Sequence, residues 1–511
     1  MQQNIHLSGR IISDFRGGRH LASHKLLRAR EYEEKTAKLI PDASRPKFHL
    51  SPCVGWMNDP NGFSWYKGEY HLFYQYNPYD TVWDSMHWGH AVSKDLLNWR
   101  YLPAALAPDE SYDSFGCFSG CAVELPTGEH LLMYTGSRKD GNTGEEIQTQ
   151  CIAVGDGLNY KKYARNPVLD ENILPEGLSR SNFRDPKIWR EKDGSYRCVV
   201  SACGQDNLGT ILLFSSKDGF EWKYESVLVK NDGRFGLMWE CPDFFILDGK
   251  HVLITNPMDM IPDGYEYNNR NGTVCLIGEL DDEGKHFSYA YHHSVDYGID
   301  FYAPQTILAP DGRRIMTGWM QNWDNSRLID RKGRQWFGQM SLPRELSVRN
   351  NRLYQQPVRE LEQYRTNKVE YRHVFVEGEL FLKGIEGRTA DLEITIRPAD
   401  TERLYRKFEV NFAQDGQYRT VLSFCPHESV LKMDLSFSGL DKVCVSQCQC
   451  KVSDRNGELK LRIILDRFSA EVFINDGEQA MSVAVLTDVS AEKISFNAVG
   501  EAIMDIIKYD L

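Results

Sequence analysis

From about residue 50 onward the chain alternates short apolar, aromatic and β-branched runs with glycine-rich breaks, a pattern that predicts strands rather than helices. Apolar strands are expected to begin near Tyr70 (YHLFYQYN), His130 (HLLMYTGS), Tyr196 (YRCVVSACG), His251 (HVLITNPM) and Arg313 (RRIMTGWM), at intervals of 60, 66, 55 and 62 residues. A second feature, a strand closed by an aromatic residue, recurs at Trp99, Tyr160 and Trp222. Units of about sixty residues, each with several strands, predict five blades of a β-propeller, because one small twisted sheet buries both faces only against neighbours. Before this region, Leu21 to Ile40 places charged and apolar groups at helical spacing up to Pro41, which predicts a surface helix. After Pro357 the pattern changes. PVRELEQYR reads as a short connecting helix, and from Tyr371 strands such as DLEITIRP, KFEVNF and LKLRIILD alternate with period two. The expected organisation is all-β: an extension over 1–45, a five-bladed propeller over 46–356, a linker over 357–370 and a β-sandwich over 371–511, built as two packed antiparallel sheets.

Chemistry concentrates just ahead of the repeated strands, in WMNDPNGF (56–63), GCFSGCAV (116–123), FRDPKIW (183–189), WECPDFF (239–245) and DFYAPQTI (300–307). Equivalent positions on successive blades face one axis, so Asp59, Asp185, Glu240 and Asp300 are expected at one end of one channel. Any one Asp-Pro or Glu-Cys dipeptide is ordinary turn chemistry; recurrence at matching repeat positions points to a shared centre. Paired carboxylates suit cleavage of a glycosidic bond, which needs an acid for the leaving oxygen and a nucleophile or a base. Asp59, fixed in the turn Asn58-Asp59-Pro60-Asn61-Gly62, is the candidate nucleophile. Glu240 is the candidate acid and base, its apolar neighbours Trp239 and Cys241 and the charge of Asp59 favouring a proton on it at rest. Asp185 is expected to hold sugar hydroxyls and stabilise positive charge at the reacting carbon, with Arg184 keeping it ionised or binding substrate. Of the tryptophans near these segments, Trp83 and Trp319 are expected to pack on a sugar ring.

A formal charge of -12 argues against a polyanionic partner such as nucleic acid. The opening MQQNIHLSGRIISDF has no apolar segment behind a basic start, so neither a leader nor a membrane span is expected. Most of the twelve cysteines fall in strand-like runs, as expected of reduced thiols in a cytoplasmic protein. Cys444, Cys448 and Cys450 lack the matching second pair of a zinc site.

These motifs resemble glycoside hydrolase family 32. WMNDPNG with Asp59 is similar to its nucleophile motif, FRDP with Asp185 to its transition-state-stabilising motif, and WECPD with Glu240 to its acid/base motif. QYNP with Gln75, MHWGHAVSKDLLNW, FSG at 118–120, DFYAPQT, SLPREL and DRFSAEVFINDG at 466–477 add to the likeness; Cys121 departs from it, where many relatives carry serine. The resemblance implies a propeller joined to a sandwich, a covalent fructosyl-enzyme, retention of configuration, and no metal or cofactor. It implies substrate contacts at Asn58, Gln75, Trp83, Phe118, Ser119, Arg184 and Trp319. Hydrolysis of sucrose and short fructosides is the expected activity. The alternatives are sucrose 6-phosphate, with Arg138, Lys139, Arg180 or Arg270 as phosphate partners, and exo-cleavage of short fructans. An inactive carbohydrate-binding protein is disfavoured by the presence of all three carboxylates. The sandwich is the surface expected to form any homo-oligomer.

Overall fold

A computed structural model describes residues 22–329, 331, 333–439 and 443–511. The chain forms an N-terminal five-bladed β-propeller and a C-terminal curled sheet. The innermost strands of the blades are β1 (Gly55–Tyr66), β2 (Gly116–Glu124), β3 (Leu178–Arg190), β4 (Trp239–Leu247) and β5 (Tyr302–Leu308). Each opens an antiparallel sheet whose outer strands follow in chain order. The walls between blades are apolar: Cys121, Leu131 and Met133 of the second meet Ile188, Cys198 and Leu212 of the third. The ring closes through β6 (Trp336–Phe337), which leaves the fifth blade and pairs in parallel with Gly55 and Trp56 of β1. Gly338, just beyond it, has φ 92°, and a Cβ there would stand 2.2 Å from the Met57 carbonyl oxygen. Only glycine lets the closing segment approach β1 so closely.

The N-terminal helix α1 (His24–Ala37) is capped by Ser23, whose hydroxyl accepts from the Leu26 N–H at 3.1 Å. Leu26, Ala29, Glu33 and Ala37 form its buried stripe, and Glu33 accepts from the Ala104 N–H in the first blade at 3.0 Å. Leu21, expected to begin the helix, lies outside the described residues. The connector after the propeller is a 3-10 turn, Arg359–Tyr364.

The C-terminal domain is sandwich-like, as expected, with its two layers formed by one ten-stranded sheet curled on itself rather than by two separate sheets. Its last strand, β7 (Lys493–Asp510), pairs with Lys407–Gln414 along its first half and with Ala390–Pro398 along its second. The turn between the halves falls at Gly500, φ 96°. One strand thereby serves both layers, and Phe408, Phe496, Ile394 and Ile506 share the core between them. At the seam between domains, His49 lies between Asp466 (2.9 Å) and Glu471 (2.8 Å), while Arg344 joins Glu471 to Asp296.

Candidate active site

All five inner strands break register at the motif segment: between Met57 and Pro60, Phe118 and Gly120, Arg184 and Lys187, Glu240 and Asp243, and Tyr302 and Gln305. Asp185, Cys241 and Ala303 have φ of 63°, 46° and 50°, and each precedes a proline. A bulge adds a residue, bends the strand and re-aims side chains. Five bulges around one axis turn Asn58 and Asp59, Phe118 and Ser119, Arg184 and Asp185, Glu240, and Tyr302 toward the same cavity, and the three positive φ values are backbone strain held at the site.

The cavity holds about 660 Å³. Asp59, Asp185 and Glu240 line it together with Asn58, Gln75, Trp83, Phe118, Ser119 and Arg184. Asp59 accepts from the Ser119 hydroxyl at 2.7 Å and the Asn58 amide at 3.1 Å. Asp185 accepts from the Cys241 N–H at 2.9 Å, and its own N–H donates to Thr135 Oγ1 at 2.9 Å. Cys241 Sγ stands 3.6 Å from Asp59, so one bulge residue touches two carboxylates. Burial, then the charge of Glu240, raises Asp59 to about 6, against the opposing hydrogen bonds from Ser119 and Asn58. Burial raises Asp185 as well, with Arg184 opposing it.

Glu240 does not occupy the apolar setting its sequence neighbours suggested. Strand alternation turns Trp239 into the core, where its Nε1 donates to the Phe235 carbonyl at 2.9 Å, and leaves Glu240 facing the cavity. There it accepts from Arg184 Nη2 at 3.0 Å and from the Tyr302 hydroxyl at 2.5 Å. Arg184 thus hydrogen-bonds Glu240, not Asp185, from which it lies 3.8 Å away.

Two expected residues are placed elsewhere. Asp300 precedes β5 and its bulge, and its buried carboxylate accepts from Asn322 and from the Ala484 N–H of the C-terminal domain, each at 2.8 Å. Trp319 is fully buried behind Trp56 and Trp323, with ring centroids 5.8 and 4.9 Å away, and does not line the cavity. Trp83 is 40% exposed at the rim, 5.9 Å from the Phe118 ring. The phosphate candidates stand off the cavity with other partners: Arg138 near Glu171, Lys139 over the Phe115 ring, Arg180 on Glu145 and Arg270 on Asp259.

Sequence reasoning missed Tyr302, Trp323, Arg327 and Arg331, which also line the cavity. Tyr302 was legible: in Tyr302-Ala303-Pro304 it stands two residues before proline, as do Arg184, Glu240 and Asn58 in their blades. The other three follow β5's partner strand, on a loop with no repeat counterpart.

Among the described residues no group of three His, Cys, Asp or Glu side chains is arranged to hold a metal ion, and no helix is long and apolar enough to cross a membrane.

A propeller with three convergent carboxylates in a cavity walled by polar and aromatic side chains defines the class: an all-β hydrolase of glycosidic bonds. Residues 49–357 match the glycosyl hydrolases family 32 N-terminal domain, and residues 360–509 match the family 32 C-terminal domain. The chain belongs to glycoside hydrolase family 32 and is a fructosidase acting on sucrose-like substrates. It is 37% identical to a sucrose-6-phosphate hydrolase of Escherichia coli over 463 residues, 89% of this chain and 91% of that one. A raffinose invertase of Escherichia coli is 36% identical over 471 residues, 90% of this chain and 93% of the other. A Bombyx mori GH32 beta-fructofuranosidase, solved as a mutant in complex with sucrose, is 33% identical with TM-score 0.81, covering 95% of this chain and 98% of that one.

Proposed function

We propose that this chain hydrolyses sucrose 6-phosphate with retention of configuration, in preference to the unphosphorylated sucrose expected from sequence. The observation that carries the choice is a pair of arginines on the cavity wall, Arg327 and Arg331. Neither forms a salt bridge with a carboxylate among the described residues. Arg327 is exposed; Arg331 lies against the stacked Trp56 and Phe337 rings, 5.3 and 4.7 Å from their centroids, with its Nε buried and unpartnered. A phosphate carries nearly two negative charges and is tolerated in a cavity only where cationic donors meet it. Names of relatives agree: most of the similar curated proteins are called sucrose-6-phosphate hydrolase.

In this reading the Asp59 carboxylate attacks C2 of the fructosyl unit. Glu240 gives its proton to the glycosidic oxygen, and glucose 6-phosphate leaves. The Glu240 carboxylate then takes a proton from water, whose oxygen attacks C2 and returns Asp59 as a free carboxylate. Asp185 holds two ring hydroxyls of the sugar and offsets the positive charge that develops at C2. Arg184 and Tyr302 orient Glu240 for both proton transfers. Unphosphorylated sucrose is the second reading, favoured by Glu146 on the cavity wall, whose carboxylate repels a dianion.

The test is kcat/KM for both sugars in the wild type and in Arg327→Gln and Arg331→Gln, at two salt concentrations. The phosphorylated sugar is expected to lead at least tenfold, about 1.4 kcal/mol, with the lead shrinking in salt and collapsing in the variants. Equal rates, or a lead for sucrose, would overturn the assignment.

A further inference from the structure

The wall that carries Trp323 and Ser326, with Arg327 at its C-cap, is a four-residue helix, α2 (Trp323–Ser326), too short to persist on its own. It is held from behind by the other domain. Asn325, 5% exposed, donates from Nδ2 to the Val445 carbonyl at 2.7 Å, and its Oδ1 accepts from the Cys444 and Val445 N–H groups at 3.0 Å each. The helix cap is tied the same way. Asn322 Oδ1 accepts from the Asn325 N–H at 2.7 Å, Asn322 Nδ2 donates to Asp300, and the second Asp300 oxygen accepts from the Ala484 N–H. Val443 and Leu486 of the C-terminal domain pack into the cluster of Trp56, Trp323, Ile329 and Phe337 that backs the wall.

The floor is built differently. Every hydrogen bond to the carboxylates of Asp59, Asp185 and Glu240 described above comes from the propeller. We infer that Asn325 is a positioning residue through which the C-terminal domain fixes the leaving-group wall, and that this domain thereby sets the choice of leaving group without touching the reacting atoms. The inference rests on the proposed reading that the sugar leaving C2 lies against the Trp323–Arg331 segment. Removing the Asn325 amide leaves the Val445 carbonyl and two N–H groups without their partner, so the helix loses its anchor while the floor keeps all its contacts.

The test is Asn325→Ala, assayed on sucrose and sucrose 6-phosphate, with free fructose as a competitive inhibitor that reports the floor alone. The expected result, on whichever sugar the wild type prefers, is a KM raised about tenfold, kcat within about twofold, and an unchanged fructose inhibition constant. An unchanged KM overturns the inference, and so does a parallel rise of KM and the fructose constant, which would mean the whole cavity had moved. Should Asn325→Ala fail to fold, Asn325→Asp keeps the acceptor for both N–H groups and loses only the donor to Val445. It is expected to raise KM about threefold, and no change would again overturn the inference. The wild-type preference between the two sugars tests the phosphate reading separately, so the two failures are distinguishable.

Discussion

Among the acids this molecule buries, two pairs end in opposite states. In the cavity, burial prevails and raises Asp59 to about 6, with Asp185 raised beside it. At the domain seam, the more deeply buried Asp466 is lowered to about 2, and Glu471 is lowered too. Burial opposes both seam carboxylates, but the count of donors differs. Asp466 accepts from the N–H groups of Lys47, Phe48 and His49 and from the His49 ring, and Glu471 from His49, Arg344 and the Leu342 N–H. The cavity acids share one arginine, Arg184, which hydrogen-bonds Glu240 among them and donates from Nη1 to Gln148 and Asn182. At Asp466 and Glu471 the donors outweigh burial and favour the ionised carboxylate. One left under-supplied is poised to take a proton or to bind a sugar hydroxyl.

The sharpest way to break that comparison is to neutralise one acid from each region. Asp59→Asn is expected to keep its melting temperature and lose about 10⁴-fold or more in kcat, because the proposed mechanism loses its anionic nucleophile. Asp466→Asn is expected to keep kcat per folded molecule and lose about 3–5 kcal/mol of stability, because it strips a buried partner from His49. Thermal melts and turnover on both variants check this, and a crossed result would end the distinction.

Tyr302→Phe comes next, with a fall in kcat of about ten- to a hundredfold and little change in KM, since the Tyr302 hydroxyl orients Glu240 for proton transfer. Two pH limbs follow from the contrasting regions. In the proposed mechanism Asp59 must be ionised to attack, so kcat/KM is expected to fall as pH drops through about 6. Burial opposes the His49 imidazolium, but its bonds to Asp466 and Glu471 outweigh that and raise it to about 9. Its folded value lies above its unfolded one, so its stabilisation is complete below about 6.5 and is lost as pH rises through about 9. His49→Gln should flatten that alkaline decline in melting temperature. The smallest effect is expected for Ser119→Ala. Loss of its hydrogen bond to Asp59 should move the acid limb of kcat/KM upward by about half a unit, and a downward move would show that Ser119 favours the protonated acid.

The propeller was legible because its repeat is written twice, once in apolar strands and once in the Asn58-Asp59-Pro60, Arg184-Asp185-Pro186 and Glu240-Cys241-Pro242 segments. Asp300 misled because it lies in a motif segment yet outside the bulge, and one or two residues decide whether a side chain faces the axis. Trp319 misled because an aromatic near an inner strand can line a cavity or support the ring that does; Trp56 and Trp323 stand in front of it. The phosphate candidates failed for the reason surface charge usually does: each had a nearer partner.

By itself the sequence determined the all-β class, the five-fold repeat and the convergence of Asp59, Asp185 and Glu240, though not the exclusion of Asp300, because period-two patterning and repeat spacing are local properties that survive without coordinates. Tertiary structure alone decided that Arg184 serves Glu240, that the C-terminal layers are one sheet bent at Gly500, and that α2 is anchored from another domain through Asn325 and Val445. Those outcomes join residues 56 or more positions apart, at distances where a shift of one ångström makes or breaks a hydrogen bond. No pattern within a segment carries that information, since it depends on how separately folded surfaces meet.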